Sequence, residues 1–213
     1  MESVSSQLDP IMERVRAVYI DKHQARERAL PLCREALRHS ANAVRATHRQ
    51  EYDHAQELID RARELLADAK SGLTGHPDIY HAGFVHDAQK EYVEACATLA
   101  LIASRPLPTP ESLDAELPAY LNGLGEAVGE LRRHLLDRLR GGDVEHCEGV
   151  LNAMDDIYSE LVTLDYPDAM TGGLRRTCDA VRGILERTRG DLTLSVRQRE
   201  LEKRLADFDE KLS

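Results

Sequence analysis

The chain has 213 residues, of which 42% are hydrophobic and 31% charged, so its composition excludes a disordered protein and predicts a globular one. Its formal net charge of −10 argues against a protein coated in basic charge, but it is compatible with a local basic face on an acidic body. No run of about 18 apolar residues occurs, and MESVSSQLDP lacks the basic and apolar regions of a signal peptide. We therefore expect a cytoplasmic protein without a membrane partner.

This length predicts one domain over residues 1–213 with a sizeable core. The four cysteines are far apart and form no CxxC pair, so reduced, packed thiols are expected rather than a zinc site.

Helix breakers and caps divide the chain into six or seven predicted helices, and the composition, poor in aromatic and rich in helix-forming residues, agrees with this. The stretch LTLSV at 192–196 is the only one that alternates as a strand would, and a strong helix former follows it. The pattern predicts an all-α bundle with short loops. The predicted helices cover about 10–49 with a kink or short break at Pro31, then 50–70, 84–104, 111–140 with an interruption at Pro118 left open, 143–164, 169–189 and the residues after Gly190.

The motif EYVEA, residues 91–95, begins an otherwise apolar part of the predicted helix at 84–104. At about 100° per residue, Glu91 and Glu94 fall in one sector with Asp87. Clustered carboxylates repel one another, and a divalent cation that prefers oxygen ligands, such as Mg²⁺, would relieve the repulsion. The alternative is that both glutamates pair with arginines of neighbouring helices.

A second acidic cluster lies in GGDVEHCEGVLNAMDDIYSEL, residues 141–161. Its apolar positions form one helical face, and its acids lie on the other, which is the pattern of a solvated surface. Asp155 and Asp156 sit near opposite borders of the acidic face, so either one can reach a neighbouring helix.

A third cluster is basic and lies in CREALRHSANAVRATHR. Four arginines share one helical sector and form a stripe about 20 Å long. Arginine is the preferred bidentate phosphate binder, so the stripe fits a nucleic-acid backbone, although a solvated face paired with acids explains the pattern equally well. The four arginines are Arg34, Arg38, Arg45 and Arg49.

Several stretches in order resemble the translins and the translin-associated factor X (Trax) proteins. DAQKEYVEA at 87–95 resembles a GLQEYVEA-type sequence of Trax, and MDDIY at 154–158 resembles the family's acidic–aromatic YDGF-like motif. The arginine-bearing segment resembles the family's early helix. YLNG at 120–123, GELRR at 129–133 and GD at 142–143 look like the family's YLxG, GELxR and GD. Because EYVE is present, the chain is closer to Trax.

The resemblance implies an all-helical fold of about seven helices, an octameric homo-oligomer, and single-stranded RNA or DNA bound inside its shell. It also implies a carboxylate site holding Mg²⁺ or Mn²⁺, with Glu91 and Glu94 as the paired glutamates and Asp156 as the aspartate. Two departures stand out: DIY replaces DGF, and a further acidic position has only Glu145 and Glu148 near it.

The resemblance and the residues together predict a metal-dependent endoribonuclease in which Glu91, Glu94 and Asp156 act catalytically and the arginine stripe holds the backbone. A non-catalytic single-stranded nucleic-acid-binding oligomer is the alternative. An all-α nucleotide pyrophosphohydrolase ranks last, because its second acidic motif normally follows ExxE more closely.

Overall fold

The computed structural model describes residues 4–212, and in this part of the chain six long helices and three single-turn helices occur without any strand. The predicted all-α bundle is thereby confirmed. The helices are α1 (Val4–His48), α2 (Tyr52–Gly72), α3 (Pro77–Tyr80), α4 (Phe84–Ile102), α5 (Pro110–Leu113), α6 (Leu117–Arg140), α7 (Glu145–Leu161), α8 (Asp168–Thr171) and α9 (Leu174–Leu212).

Two groups of helices build the body, and α4 and α6 join them. In the first group, α1, α2 and α4 pack through small residues, many of them fully buried alanines, which let the helix backbones approach closely. In the second group, α6 packs against α7 and α9 through larger aliphatic side chains. Since α6 also packs along α4, the acidic end of α4 lies at the junction of the two groups.

Helix α1 is longer and less interrupted than its prolines predict. It already includes Val4, so the expected start at Asp9–Pro10 is wrong, and of the kink or short break expected at Pro31 the break does not occur. Pro31 is exposed, so the carbonyl that loses its partner can bind water. Ala29 and Cys33 on either side are buried in the core, and this packing holds the helix together.

Helix α9 also runs on where two helices are predicted. Gly190 lies inside it and does not cap it, and LTLSV is helical. Leu185 and Leu192, on either side of Gly190, are both buried, and Val196 packs one turn beyond Leu192. Tertiary packing therefore outweighs the roughly 1 kcal/mol that a helix-interior glycine costs.

The first turns of α1 and the last turns of α9 leave apolar side chains in contact with solvent. We call these two segments, residues 4–20 and 194–211, the terminal arms. The exposed large apolar residues of the arms are Val4, Leu8, Ile11, Met12, Val15, Val18, Tyr19 and Ile20 in the first, and Leu194, Leu201, Leu205 and Phe208 in the second.

Among the helices of residues 4–212, none combines the length and the apolar composition that a membrane-spanning segment needs.

Candidate metal centre and nucleic-acid interface

Helix α4 carries Glu91 and Glu94 on the side that faces α6. Both side chains are half-buried, while Tyr92, Val93 and Ala95 between and beside them are buried in the body of the protein. The helix is apolar around most of its circumference, and it can therefore be enclosed by α1, α2 and α6. The two glutamates are therefore held at the inner edge of the α4–α6 packing rather than on a solvated face.

Helix α6 brings a third carboxylate, Glu126, to the same place. Carboxylate oxygens of Glu91, Glu94 and Glu126 all lie within 4.8 Å of one another, and we call these three residues the carboxylate cluster. The close approach depends on Gly123, where a Cβ atom would lie only 2.5 Å from the Lys90 carbonyl oxygen and 2.8 Å from Cβ of Val93. Because Gly123 has no side chain, α4 and α6 can come together beside the glutamates.

The cluster is electrostatically unfavourable without a cation. Burial, followed by the charges of Glu91, Glu126 and Glu130, raises the pKa of Glu94 to about 8. Burial and the charge of Glu126 also raise the pKa of Glu91. Within the described residues, neither Glu91 nor Glu94 forms a hydrogen bond or an ion pair, so the arginine partners of the alternative interpretation are not found. Half-buried carboxylates with converging oxygens and no fixed partner are a suitable ligand set for a hard divalent cation such as Mg²⁺ or Mn²⁺.

Two cationic or potentially cationic side chains border the cluster. The Lys90 ammonium donates to Glu126 at 2.7 Å, and this bond and the nearby carboxylates raise the pKa of Lys90 even though burial acts to lower it. On the next turn of α6, Glu130 accepts a hydrogen bond of 2.5 Å from Nε2 of His48, whose side chain is only 6% exposed. That bond holds the pKa of Glu130 below its ordinary value. Glu130 is thus kept ionised and oriented beside the cluster.

A cleft with a volume of about 650 Å³ opens over Glu94 and Glu126. One wall belongs to α4 and α6, and the other to Gly172 and Gly173, between α8 and α9, and to the first turns of α9. The side chains that give it charge are Asp87, Lys90, Glu94, Glu126 and Arg176.

The structure does not bring Asp156 into the carboxylate cluster. Asp156 lies on the exposed side of α7, and the buried face of that helix packs on α6 and α9. Its neighbour Asp155 forms an ion pair with Arg189, while Glu145 and Glu148 are exposed. The third carboxylate, Glu126, comes from a helix in which the sequence motifs single out no metal ligand. The i,i+4 spacing of Glu126 and Glu130 places both on one face of α6, and this spacing is the sequence signal that could have indicated a second acidic site.

Three arginines of the stripe lie on the exposed side of α1 and Arg49 directly follows that helix, and all four are exposed. Arg34 has no hydrogen bond or ion pair within the described residues, whereas Arg38 contacts Glu35 at 3.3 Å and Arg45 donates to Asn42 at 2.9 Å. Arg49 donates to both carboxylate oxygens of Glu51. Three of the four guanidinium groups therefore have local partners, but all of them are open to a ligand from solvent.

No protein-family profile matches this chain. An uncharacterized protein of Methanocaldococcus jannaschii is 30% identical over 188 residues, which cover 87% of this chain and 82% of that protein.

Solved structures with the same fold extend this relationship. AfC3PO in complex with duplex RNA superposes with a TM-score of 0.82 at 33% identity, covering 88% of this chain and 97% of that one. A second AfC3PO structure gives 0.81 at 34% identity, with 88% and 98% covered. Apo-NeC3PO, at 20% identity over 87% of this chain and 97% of its own, shares the fold with a TM-score of 0.77. By sequence identity and by fold, this chain belongs to the translin/Trax family, in its archaeal form.

Proposed function

We propose that this protein binds RNA and cleaves it at a divalent-cation site formed by Glu91, Glu94 and Glu126, with Glu130 beside it. The carboxylate cluster carries the proposal: three half-buried carboxylates whose oxygens lie within 4.8 Å, two of them without any protein partner among the described residues. Burying such a group without a compensating cation is unfavourable, so the arrangement is best explained by a cation that it binds. Mg²⁺ and Mn²⁺ are the expected ions.

The residues in and around the cluster have different proposed roles in binding the cation. Glu91 and Glu94 present free oxygens, and Glu126 joins them when Lys90 gives up its hydrogen bond. His48 fixes the orientation of Glu130 by its hydrogen bond. A bound divalent ion would lower the pKa of a water molecule and neutralise charge that develops on the scissile phosphate.

The ligand proposed for the arginine stripe is the RNA backbone. AfC3PO has been solved with duplex RNA, and the sequence predicts single-stranded RNA or DNA, so both forms belong in the binding test. Because phosphate contacts dominate such affinities, Arg38→Glu with Arg45→Glu should weaken binding about tenfold or more and reduce its salt dependence. Arg61→Glu with Arg63→Glu, an equal charge change on exposed α2 residues, is the matched control. Equal losses in both double variants would refute the stripe assignment.

The terminal arms support assembly of several copies. Exposed apolar residues along two helices of one chain are normally covered by another surface, and copies of the same chain in an octamer are the proposed cover. Light scattering on the purified protein tests the number of subunits. The proposed compartment is the cytoplasm.

The decisive experiment is a cleavage assay on labelled single-stranded and duplex RNA with Mg²⁺, Mn²⁺ or EDTA. The wild type is compared with the Glu91→Gln/Glu94→Gln variant, which removes the two free carboxylates with little change in shape. We expect metal-dependent cutting by the wild type alone, with oligomer and RNA affinity retained in the variant. Intact RNA with every metal would reject the nuclease.

The second candidate is a nucleic-acid-binding oligomer without catalysis. The observation in its favour is that Glu126 and Glu130 already have protein partners, Lys90 and His48. In that case the glutamates stabilise the helix packing, and the Glu91→Gln/Glu94→Gln variant would change stability or assembly rather than cleavage.

A further inference from the structure

The cleft over the carboxylate cluster has a second wall that the proposed cation site does not use. Arg176, on the first turn of α9, lines this wall opposite Glu94 and Glu126. Its guanidinium forms no hydrogen bond or ion pair within the described residues. Arg175, the preceding residue, is by contrast tied to Asp165 at 2.8 Å and does not line the cleft. An arginine with five unused donors thus faces a group of acids without pairing with any of them.

The position of Arg176 is fixed by buried hydrogen bonds rather than by the surface. Asn122, only 3% exposed, donates to the carbonyl oxygen of Thr171 at 2.8 Å and accepts a bond of 2.6 Å from the Thr177 hydroxyl. Both bonds link the α8–α9 junction to α6, one turn before Glu126. A Cβ atom at Gly125 would overlap the Thr177 methyl group, so the two helices also touch directly there. The backbone that carries Arg176 is therefore anchored to α6, while its exposed side chain remains free to contact a ligand.

The charges of the cleft define what fits between its walls. A phosphodiester strand reaching the carboxylate cluster is repelled by Asp87, Glu94 and Glu126, and Lys90, which is paired with Glu126, and a bound cation offset only part of that repulsion. An unpaired guanidinium on the facing wall supplies the missing positive charge with the planar geometry that phosphate oxygens accept. The N-terminal end of the 39-residue α9 adds a favourable dipole at the same place.

We propose that Arg176 binds a backbone phosphate of the RNA strand next to the scissile phosphate, and so sets the strand in register with Glu91, Glu94 and Glu126. This inference rests on the proposed function and adds a substrate-binding residue to it. The exposed stripe on α1 gathers RNA over a long surface, while Arg176 contacts a single phosphate inside the cleft.

The test compares Arg176→Gln with Arg175→Gln, two neutralisations on adjacent residues of one helix. Each removes one positive charge, so any difference between them reports position rather than net charge. RNA affinity is measured by fluorescence anisotropy with Ca²⁺, and single-turnover cleavage with Mn²⁺ over a range of protein concentrations. Light scattering and thermal melting are recorded for each variant.

We expect Arg176→Gln to weaken RNA binding and raise the half-saturating concentration for cleavage about tenfold to a hundredfold, while Arg175→Gln changes both by less than about threefold. Arg176→Lys should restore part of the loss, because it keeps the charge without the bidentate geometry. Equal effects of Arg176→Gln and Arg175→Gln overturn the inference, and so does a loss of stability or assembly with unchanged RNA binding.

The same data separate this inference from the proposed function. If the wild type cuts RNA and Arg176→Gln cuts equally well, the nuclease stands and the Arg176 assignment falls. If no metal supports cutting but Arg176→Gln alone loses affinity, the phosphate contact stands and the nuclease falls.

Discussion

Two acidic regions of this protein contain the same residue types and differ in what the helices do with them. On α7, acids such as Glu148 and Asp156 spread over one exposed face, and Asp155 is neutralised by Arg189. At the α4–α6 junction, Glu94 and Glu126 come from different helices and converge, half-buried, at the wall of a cleft. The acids of α7 face solvent and are hydrated separately, whereas the close crossing of α4 and α6 brings acids of both helices together as a ligand set.

The largest expected effect separates the two regions by activity. Glu126→Gln should lower metal-dependent RNA cleavage by about three orders of magnitude or more, because it replaces an anionic carboxylate ligand of the cluster with a neutral amide. Asp156→Asn makes the same charge change on α7 and should leave the rate within about twofold. Initial rates with saturating Mn²⁺ measure both. A large loss in Asp156→Asn would return that residue to the site and break the comparison.

The next effect is stabilisation by metal. With Mn²⁺ at about a hundred times its dissociation constant, unfolding should become harder by about 2.7 kcal/mol, seen as a higher melting temperature. The increase should persist in Asp156→Asn and disappear in Glu94→Gln. If Mn²⁺ stabilises both variants alike, the bound ion lies elsewhere.

Glycine replacements compare the packing of the two regions directly. Gly123→Ala places a methyl group against the Lys90 carbonyl and Val93, so we expect a loss of about 1–3 kcal/mol. Gly149→Ala, on the exposed part of α7 with no neighbouring atom within 4 Å, should instead gain about 0.5–1 kcal/mol. Urea denaturation measures both free energies. If Gly123→Ala leaves the free energy of unfolding unchanged, α4 and α6 can move apart without a loss of stability.

Sequence patterns predict the long helices of this protein better than they predict the helix ends and the residues of the candidate site. The period of apolar residues places the long helices, and helical spacing alone puts Glu91 and Glu94 in one sector. The helix end predicted at Gly190 and the break allowed at Pro31 do not occur, because a single residue's propensity says nothing about the packing on either side. The sequence does not predict Glu126 as a ligand for a related reason. The α4–α6 crossing that brings it to Glu94 is a tertiary contact, which local sequence patterns do not specify.

The last comparison uses the pH dependence of stability without metal. The pKa of Glu94 is raised to about 8 from 4.5, so the folded state keeps a proton that the unfolded state has lost between these values. This carboxyl therefore does not destabilise the fold below about pH 4.5, and destabilises it progressively as the pH rises to about 8. Glu94→Gln should flatten that decline, as measured by melting temperature in EDTA across the range, while Asp156→Asn should not. Parallel curves for wild type and Glu94→Gln would contradict the burial of this group.

The contacts that build the candidate site also differ in how much chain they enclose. Lys90 and Glu126 are 36 residues apart, Asn122 and Thr177 are 55 apart, and His48 and Glu130 are 82 apart. Since each doubling of a loop adds about 0.6 kcal/mol to its closure, the α4–α6 contact has the smallest entropic barrier of the three. We therefore expect the two helices bearing the carboxylates to pair early in folding, with α9 and the end of α1 docking onto that pair afterwards.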